Sequence, residues 1–545
     1  HDHKYDPISQ KEYYQFFAFF NTIDEAGLYS YFTPSIPTPT LLMTDAAVKQ
    51  KIAAEEKQAA AEVAELAKVS ADAGEAFEKW LAERPAKATL PGQIGHFPFD
   101  EYKDGKLPNL AGESKQASSS QKNKIVPGKN GNGLRLTGDD GVNLGIGNFK
   151  RTQPFSVALW MNTPHHKERT VVFSRSRAWT DAGSRGYQML LRDGHLSASL
   201  IHFWPGNAIS VRTRVKLPKN EWHHVAITYD GSTKAGGLEI YVDGKLVETE
   251  IHKDNLYKNI TGGGGDTIVI GQRFRDVGFA EGLVDDFRVF DRELTGGEVA
   301  QIHDGGSLAA MLAKPADALG QAERATLRDY FLATANEPHA KQLAKVRAAR
   351  ERVTKLLDGR GEIMVMEEMR LKARSTFVLK RGVYSAPGER VGAATPGSLS
   401  PFPKDAPRNR LGLAQWLVDS KNPLTARVAV NHFWQLCFGQ GLVRTPEDFG
   451  TQGKRPTHPG LLDWLAVDFT DHGWNVKRLL KKIVMSATYQ QASETRPALE
   501  ESDPENLLLA RAPRYRLSAE MIRDNALAAS GLLSRRMGGA GAKPY

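Results

Sequence analysis

The sequence predicts a multidomain α+β protein, in which an all-β jelly-roll sandwich is inserted between helical arms and followed by a mainly α-helical domain. Residues 44–84 are rich in Ala, Glu and Lys and contain no Pro, a composition with high helix propensity. Residues 90–305 alternate short β-type runs with Gly, Asp and Asn turns. Residues 411–545 contain amphipathic helical patterns. A chain of 545 residues is also too long for one hydrophobic core.

The first two segments lead into the sandwich. Residues 1–40 are aromatic-rich and then interrupted by Pro34, Pro37 and Pro39, which is typical of the end of a domain followed by an extended stretch. Residues 41–89 are predicted to form the first helical arm. Its thin apolar stripe is typical of a helix that packs against one partner, and consists of Val48, Ile52, Ala59, Val63 and Leu66.

Residues 90–305 are predicted to form the sandwich. In the run WHHVAITYD the residues at period two share one face, as in a half-buried strand. Asp243-Gly244 lies between two strand-like runs, which is a strong hairpin signal. Many short strands at regular spacing favour a sandwich or jelly roll. Thr295 and Glu298 have the spacing of a capping box and are expected to open a short helix.

The segments after the sandwich return to helix. Residues 306–360 are predicted to form a second helical arm, antiparallel to the first. Residues 361–410 are expected to be a linker with short strands and a Pro/Gly-rich stretch. Residues 411–545 are predicted to be a helical domain, and we expect the basic face of Val476–Tyr489 to be solvated.

Composition excludes several classes of protein. The formal net charge of +9 comes from 72 Lys and Arg against 63 Asp and Glu, which are interleaved along the chain. No nucleic-acid motif accompanies this charge, so we expect no nucleic-acid partner. No apolar run of about eighteen residues occurs, so no membrane span is predicted. Cys437 is the only cysteine, which excludes an internal disulfide and is typical of a buried thiol.

The sandwich region resembles the laminin-G-like, concanavalin-A-like jelly rolls. The runs FSVALWMNT, EWHHVAITYD, IYVDGKLV and GLVDDFRVFDREL follow the order of that family. The resemblance implies a carbohydrate- or protein-binding domain. Such domains often bind calcium through loop carboxylates, and here the candidate metal ligands are Asp139, Asp140, Asp285 and Asp286. The alternative is that these aspartates serve local turns.

Two tryptophans in this region are candidate ligand-binding residues. Trp179 lies in RSRAWTDAG and Trp204 in HFWPGNA, and both segments have loop composition. An exposed indole ring can stack on a sugar, whereas a core indole only packs. By pattern most tryptophans of the region are core residues, and the two interpretations stay open for this pair.

The stretch from Arg427 to Tyr489 resembles a family found mainly in planctomycetes, known as domain of unknown function 1553. The order and spacing of its residues match that family over more than sixty residues, which is roughly the whole stretch. That family has no established chemistry. The residues that carry the resemblance are Arg427, Asn431, His432, Trp434, Asp448, His458, Asp463, Trp464 and Trp474.

Within that stretch lie the candidates for catalysis. Arg427 and Asn431 share a helical face with two aromatic residues and could line a polar pocket, or could instead pin neighbouring loops. His432 points off that face. His458 could act as a general base or metal ligand oriented by Asp463 or Asp448, or could be a histidine at a helix start. No hydrolase or nucleotide motif supports an activity.

The chain opens with HDHKYDPISQKEYYQFFAFFN, which resembles the end of a second family, domain of unknown function 1549, also called a planctomycete cytochrome-associated domain. In that family Cys-x-x-Cys normally precedes the His-Asp-His. The resemblance implies that His1 is the axial ligand of a c-type haem attached just upstream. The alternatives are a non-haem metal site and a polar turn. We expect the chain to be a fragment cut at both ends.

These observations support one leading hypothesis and two rivals. The leading hypothesis is an extracytoplasmic (periplasmic or cell-surface) protein associated with c-type haem, whose jelly roll binds a polysaccharide or a surface protein in polysaccharide handling. A protein associated with c-type haem would also have a redox partner. The first rival is an enzyme that acts on glycans, with its active site in residues 411–545. The second is a purely adhesive or structural surface protein.

Overall fold

The computed structural model describes residues 7–24, 36–111, 116–119, 122–179, 184–369, 373–539 and 541. The chain divides into two compact units. The sandwich unit is Ile23–Leu371, and the helical unit combines His1–Thr22 with Lys372–Tyr545. His1, the predicted haem ligand, lies outside the described residues.

The helices fall into both units. In chain order they are α1 (Gln10–Phe17), α2 (Ala46–Asp72), α3 (Gly74–Glu83), α4 (Gly296–Asp304), α5 (Ser307–Ala313), α6 (Gln321–Thr334), α7 (Glu337–Asp358), α8 (Arg410–Leu417), α9 (Thr425–Phe438), α10 (Pro459–Asp471), α11 (Val476–Val484), α12 (Pro497–Ser502) and α13 (Ala519–Ala529).

Most strands belong to the sandwich unit. In chain order they are β1 (Thr40–Leu42), β2 (Gln93–Phe97), β3 (Lys106–Leu107), β4 (Ala117–Ser119), β5 (Lys124–Pro127), β6 (Asn132–Arg135), β7 (Val142–Asn143), β8 (Phe155–Asn162), β9 (Thr170–Ser176), β10 (Gly186–Arg192), β11 (His195–Phe203), β12 (Asn207–Thr213), β13 (Trp222–Tyr229), β14 (Leu238–Val242), β15 (Lys245–Leu246), β16 (Thr249–Asn255), β17 (Val269–Ile270), β18 (Leu283–Phe290), β19 (Glu362–Met364), β20 (Thr376–Leu379) and β21 (Pro387–Val391).

Two antiparallel sheets make the sandwich, which confirms the predicted fold class. Within the described residues, the nine-stranded sheet has the order β16-β12-β11-β10-β9-β17-β7-β4-β3. The eight-stranded sheet has the order β15-β14-β13-β8-β18-β6-β5, with β2 also paired to β18. The apolar residues at alternate positions of both sheets form one large core between them, because successive side chains in a strand point to opposite faces.

The outer faces of the two sheets differ. On the eight-stranded sheet, Ala158, Ala226 and Phe290 pack against Val299 and Ile302 of α4. The capping box predicted at Thr295 and Glu298 is present at the start of this helix. The nine-stranded sheet carries polar residues on the corresponding face, among them Gln188, Ser199 and Ser210.

The helical arms pack against each other in antiparallel orientation. Glu55 of α2 pairs with Arg352 of α7, whereas Glu62, about two turns later in α2, accepts a hydrogen bond from Gln342, which lies earlier in α7. The single helix expected over residues 44–84 is instead two helices, α2 and α3, separated at Ala73. Gly74 is a weak helix former, and the break lets Phe77 and Leu81 join a separate apolar cluster with α5 and α6.

The chain enters and leaves the sandwich unit at neighbouring positions. Ile23 forms an antiparallel bridge with Glu368, and the Asp24 N–H donates to the Glu367 carbonyl at 2.7 Å. Slightly further in, β1 pairs with β19. The sandwich and its arms are therefore an insertion between the two segments of the helical unit.

The helical unit has two apolar clusters. The larger one joins α9, α10 and α11 through Val430, Trp434, Leu465, Phe469 and Ile483. The smaller one joins the segment after α1 to α8, where Phe19 packs with Leu413, Trp416 and Phe402. Lys11 and Glu389 also form an ion pair at 2.6 Å. The first described residues of the chain thus fold with a segment that lies about 380 positions later in the sequence.

Candidate functional site

A polar row crosses the outer face of the nine-stranded sheet. Phe173, Met189, Ala198 and Val211 are register partners that point into the core, so their sequence neighbours point outward. One row of cross-strand partners then runs from edge to edge. We name it the outer stripe, and it consists of Lys253, Ser210, Ser199, Gln188, Ser174, Val269, Asn143, Ser118 and Lys106.

The centre of the outer stripe holds polar atoms that lack partners. Gln188 is 2% exposed and Ser174 is 1% exposed. Neither Oε1 of Gln188 nor Oγ of Ser174 has a hydrogen-bond partner in the described part of the chain. The neighbouring Ser199 hydroxyl donates to Ser210 at 2.8 Å. A buried polar atom without a partner costs about 1–3 kcal/mol, so these two groups favour a bound hydroxyl, amide or water.

Long basic side chains flank this centre. Arg212 is the register partner of Ser197 and Glu250, and its Nε has no hydrogen-bond partner within the described residues. Burial lowers the pKa of the Arg192 guanidinium, and Arg169 and Arg212 lower it further. Short serine side chains thus occupy the middle of the row, and the long side chains of Arg192 and Arg212 lie on the same face at its margin.

Trp179 lies beside the same margin. The segment after β9 turns back, and the Trp179 N–H donates to the Phe274 carbonyl at 2.9 Å. The Arg169 guanidinium lies 3.7 Å from the centre of the indole ring, and Asp276 holds Arg169 and Arg273 by ion pairs. Trp179 is half-buried, and the Arg169 guanidinium stacks on one face of its indole ring.

Trp204 occupies the turn between β11 and β12. The ring is half-buried, and the turn is held by Asn255, whose side-chain N–H donates to the Gly206 carbonyl at 2.7 Å. Trp204 and Trp179 therefore follow different strands of the same sheet. Their assignment as ligand-binding residues stays a prediction.

The four aspartates proposed for calcium do not converge. Asp140 accepts from the Thr137 hydroxyl at 2.9 Å in the turn before β7, and its neighbour Asp139 is exposed. Asp285 and Asp286 lie on β18. Among the residues that the structure describes, no group of three or more His, Cys, Asp or Glu could hold a metal ion. Calcium binding stays a prediction.

The β18 aspartates have protein partners. Oδ2 of Asp285 accepts the Lys129 and Asn130 N–H groups at 2.8 Å each, and burial raises its pKa to about 6. Asp286 contacts His96 at 2.8 Å and Arg288 at 2.9 Å. Burial opposes ionisation of Asp286, but these two hydrogen bonds hold its pKa below the usual range.

The catalytic candidates in the helical unit also lie apart. Asn431 is fully buried, and its amide bonds both the N–H of Val443 at 2.7 Å and its carbonyl at 2.9 Å. Arg427 pairs with Asp463 at 2.7 Å on an exposed surface. The Nδ1 of His458 contacts the neighbouring Thr457 hydroxyl at 3.0 Å. In the described residues no hydrogen bond joins His458 to Asp463 or Asp448.

The same candidate residues also line different cavities of the helical unit. Arg427 and Asp463 line a small space of about 60 Å³. The exposed His432 lines a different groove of about 570 Å³ with Tyr515 and Met521. His458 lines neither of these two spaces, so the five candidates do not form one catalytic site.

Comparison with known proteins supports the two-part organisation. Residues 136–300 match the family model described as concanavalin A-like lectin/glucanases superfamily. Residues 409–545 match the model described as PSD1, protein of unknown function (DUF1553). No curated protein sequence matches the chain. The predicted association with cytochrome domains and planctomycetes stays a prediction.

Parts of several solved structures are similar to a region of this chain at low sequence identity. The binding domain of Paraclostridial Mosquitocidal Protein 1 is 16% identical with a TM-score of 0.31, over 39% of this chain and 52% of that one. Domain 4 of the arabinanase AbnA from Geobacillus stearothermophilus, in complex with arabinotriose, is 19% identical with a TM-score of 0.29, over 39% and 98%. The botulinum neurotoxin serotype G binding domain is 17% identical with a TM-score of 0.30, over 39% and 50%.

The aligned region spans about half the length of the toxin binding domains. These likenesses concern the fold alone. Within the part of the chain that the structure describes, no helix is both long and apolar enough to cross a membrane.

The residues of the outer stripe escaped the sequence prediction, although a signal for them exists. In HLSASLIHF and NAISVRT, polar residues alternate with apolar ones at period two, and in GYQMLLR the polar Gln188 lies between Tyr187 and Met189. That pattern identifies Gln188, Ser199 and Ser210 as facing away from the core. It does not identify which strands are neighbours, and that information is needed to place the three side chains in one row.

Proposed function

We propose that the sandwich unit binds a carbohydrate polymer along the outer stripe, as part of an extracytoplasmic multidomain protein. The observation that carries this proposal is the pair of buried, unpartnered polar groups on Gln188 and Ser174 at the centre of the outer face. Sugar hydroxyls both donate and accept hydrogen bonds, so they suit a row of amide and hydroxyl groups.

The length of the stripe suits an oligosaccharide better than a single sugar. Its central part crosses β9, β10, β11, β12 and β16. At a strand spacing of about 4.8 Å, four gaps span ~19 Å. The half-buried Trp179 near the margin adds an aromatic surface beside this row, which is the combination of apolar contact and few polar groups typical of ligand sites.

The test is binding of the full chain to an array of neutral and acidic glycans, followed by calorimetry on the best ligand. Gln188→Leu keeps the size of the side chain and removes the unpartnered amide, so binding is expected to weaken about tenfold or more. Gln93→Leu on the eight-stranded sheet is the matched control and should bind normally.

Three outcomes contradict the proposal. Equal binding by Gln188→Leu and the control would remove the outer stripe as the site. Binding to a protein but to no glycan would favour the adhesive hypothesis. Turnover of a glycan that His458→Ala abolishes would favour the enzyme hypothesis, with its site in residues 411–545.

The proposal keeps the c-type haem and a redox partner as an expectation from the resemblance of the first residues. His1 lies outside the described residues. A protein extended upstream and matured in a host that attaches c-type haem should show the corresponding absorption spectrum. Zinc without haem in that protein would favour the non-haem metal alternative.

A further inference from the structure

A polar cleft of about 470 Å³ lies at one end of the nine-stranded sheet, within the sandwich unit. Arg185 precedes β10, His202 lies near the end of β11, and Lys258 follows β16. The other side of the cleft comes from Arg360, at the end of the second helical arm, and from Glu362, the first residue of β19. The cleft therefore exists only where the sandwich meets the arm that follows it in the chain.

One cation of the cleft is already neutralised. Nζ of Lys258 lies 3.0 Å from the carboxylate of Glu362, and both side chains are 9% exposed. The same ammonium donates to the Arg360 carbonyl at 3.1 Å. The Lys258–Glu362 ion pair thus joins the sandwich to β19, and the net charge of the cleft depends on its other groups.

Two guanidinium groups in the cleft form no ion pair with a carboxylate among the described residues. Arg185 donates to the His202 carbonyl at 3.3 Å and contacts the His202 ring at 3.3 Å. Arg360 donates to the Leu356 carbonyl at 3.3 Å. Burial lowers the pKa of Arg185, which reflects the cost of holding this charge away from water, although the charges of Asp358 and Glu362 raise it.

His202 does not add a third charge but orients the first. Its Nδ1 lies 2.6 Å from the Asn259 carbonyl, so Nδ1 carries the proton and donates. Nε2 is then an acceptor for Arg185. Burial, with Arg185 as the next cause, lowers the pKa of His202 to about 3, which keeps the ring neutral at physiological pH.

The remaining acid of the cleft is not bound to either guanidinium. Oδ1 of Asp358 accepts the Asn259 N–H at 2.9 Å. The lining side chains therefore carry three positive charges, on Arg185, Lys258 and Arg360, against two negative charges on Asp358 and Glu362. Thr38, which is 4% exposed, adds a hydroxyl without a hydrogen-bond partner in the described residues.

We propose that this cleft binds the oxyanion of an acidic sugar, either the carboxylate of a uronic acid or a sulfate ester, with Arg185 and Arg360 as the binding residues. This inference rests on the proposed glycan binding and names its substrate class. A guanidinium presents paired N–H donors that match the two oxygens of such a group. A free hydroxyl at Thr38 would bond a neighbouring sugar oxygen.

Arg185 lies three residues before Gln188, so the two residues are about 10 Å apart along the chain. Because side chains alternate between the two faces of a strand, this odd spacing puts Arg185 and Gln188 on opposite sides, and the cleft is a site separate from the outer stripe. Specificity for acidic sugars would then come from the cleft, independently of the contacts made by the sheet face.

The experiment uses the full chain and measures affinity for oligogalacturonide, for its methyl-esterified form, and for dextran sulfate against dextran. Arg185→Gln and Arg360→Gln are each expected to weaken binding of the acidic oligosaccharide about tenfold or more. Binding of the esterified form should stay within about twofold. Arg214→Gln, which removes an exposed guanidinium paired with Glu248, is the matched control and should change neither.

The choice of ligands distinguishes the possible results. Preference for oligogalacturonide supports a carboxylate ligand, and preference for dextran sulfate supports a sulfate ester. Equal affinity for the acidic and esterified forms would overturn the inference while leaving the outer stripe intact, because Gln188→Leu would still weaken both. If Arg185→Gln lowers the unfolding midpoint, the inference is judged on Arg360→Gln alone, and normal acidic binding by that variant refutes it.

Discussion

Asn431 is one of the residues that resemble the domain of unknown function 1553, and its buried side chain bonds the protein backbone. Its amide donates to the Val443 carbonyl and accepts from the Val443 N–H, so it replaces a strand partner for the segment after α9. The sequence left both a ligand pocket and a loop anchor open as interpretations of Arg427 and Asn431, and favoured the anchor. The burial of Asn431 and the exposed pairing of Arg427 with Asp463 favour the anchor.

Asn431→Leu should destabilise the helical unit. The substitution leaves both the N–H and the carbonyl of Val443 buried without a partner, which costs about 2–3 kcal/mol in unfolding free energy. Urea denaturation followed by tryptophan fluorescence measures the loss. His432→Ala, on the exposed side of the same helix, should change the unfolding free energy by less than about 0.5 kcal/mol. Equal stabilities for the two variants would contradict the anchoring role.

His224 should make the sandwich unit sensitive to mild acid. It is 1% exposed and packs beside Trp160 and His303, and burial, followed by His303, lowers its pKa to about 4. Between pH 6.5 and about 4 the unfolded chain binds a proton that the folded chain does not. The unfolding free energy therefore falls as the pH drops through this window, by roughly 2–3 kcal/mol for this group.

The measurement is the difference between His224→Phe and the original chain at pH 7.5 and pH 4.5. A difference is needed because Asp285 and Glu293, whose pKa values burial raises to about 6 and about 7, contribute with the opposite sign. His224→Phe should lose less stability on acidification than the original chain. His252→Gln, at an exposed site, should lose the same amount as the original chain.

Among elements, the sandwich strands were the most predictable and their pairing the least. Period-two alternation in WHHVAITYD and the Asp243-Gly244 turn correspond to β13 and to the β14–β15 hairpin. Alternation reveals which side chains share a face but not which strands are neighbours. The outer stripe depends on β17, which pairs with both β9 and β7. Val269 of β17 lies roughly 126 residues after its partner Asn143 of β7, and no local sequence pattern predicts so distant a pairing.

The start of α4 allows a direct test of an element that the sequence did predict. The Thr295 hydroxyl accepts the Glu298 N–H at 3.3 Å, and the Glu298 carboxylate accepts the Thr295 N–H at 2.9 Å. Thr295→Ala should cost about 1 kcal/mol of unfolding free energy. Glu298→Ala should cost more, because Arg292 would lose its buried ion-pair partner. Thermal unfolding ranks the two variants, and the reverse order would contradict this account.

At the scale of the molecule, the sandwich unit has the properties of an inserted domain. Its two ends are held together by the Ile23–Glu368 bridge and by the β1–β19 pair. The helical arms contribute to its stability, since α7 bonds the sandwich through Arg350, whose side chain donates to the Asp230 carbonyl at 3.1 Å, and through Asp358. A fragment of residues 90–305 would lose those contacts.

The sandwich unit expressed alone, as residues 23–371, should therefore fold and unfold cooperatively with the same midpoint that it shows in the full chain. Residues 90–305 alone should unfold at a lower denaturant concentration, because the α2–α7 pair and the Lys258–Glu362 ion pair are absent. In the complementary protein, a short Gly-Ser linker replaces residues 23–371 and joins Thr22 to Lys372. It should keep the α1–α8 cluster and show a helical circular dichroism spectrum. A sandwich unit that aggregates unless the helical unit is attached would contradict the insertion, since two independent cores should not need each other to fold.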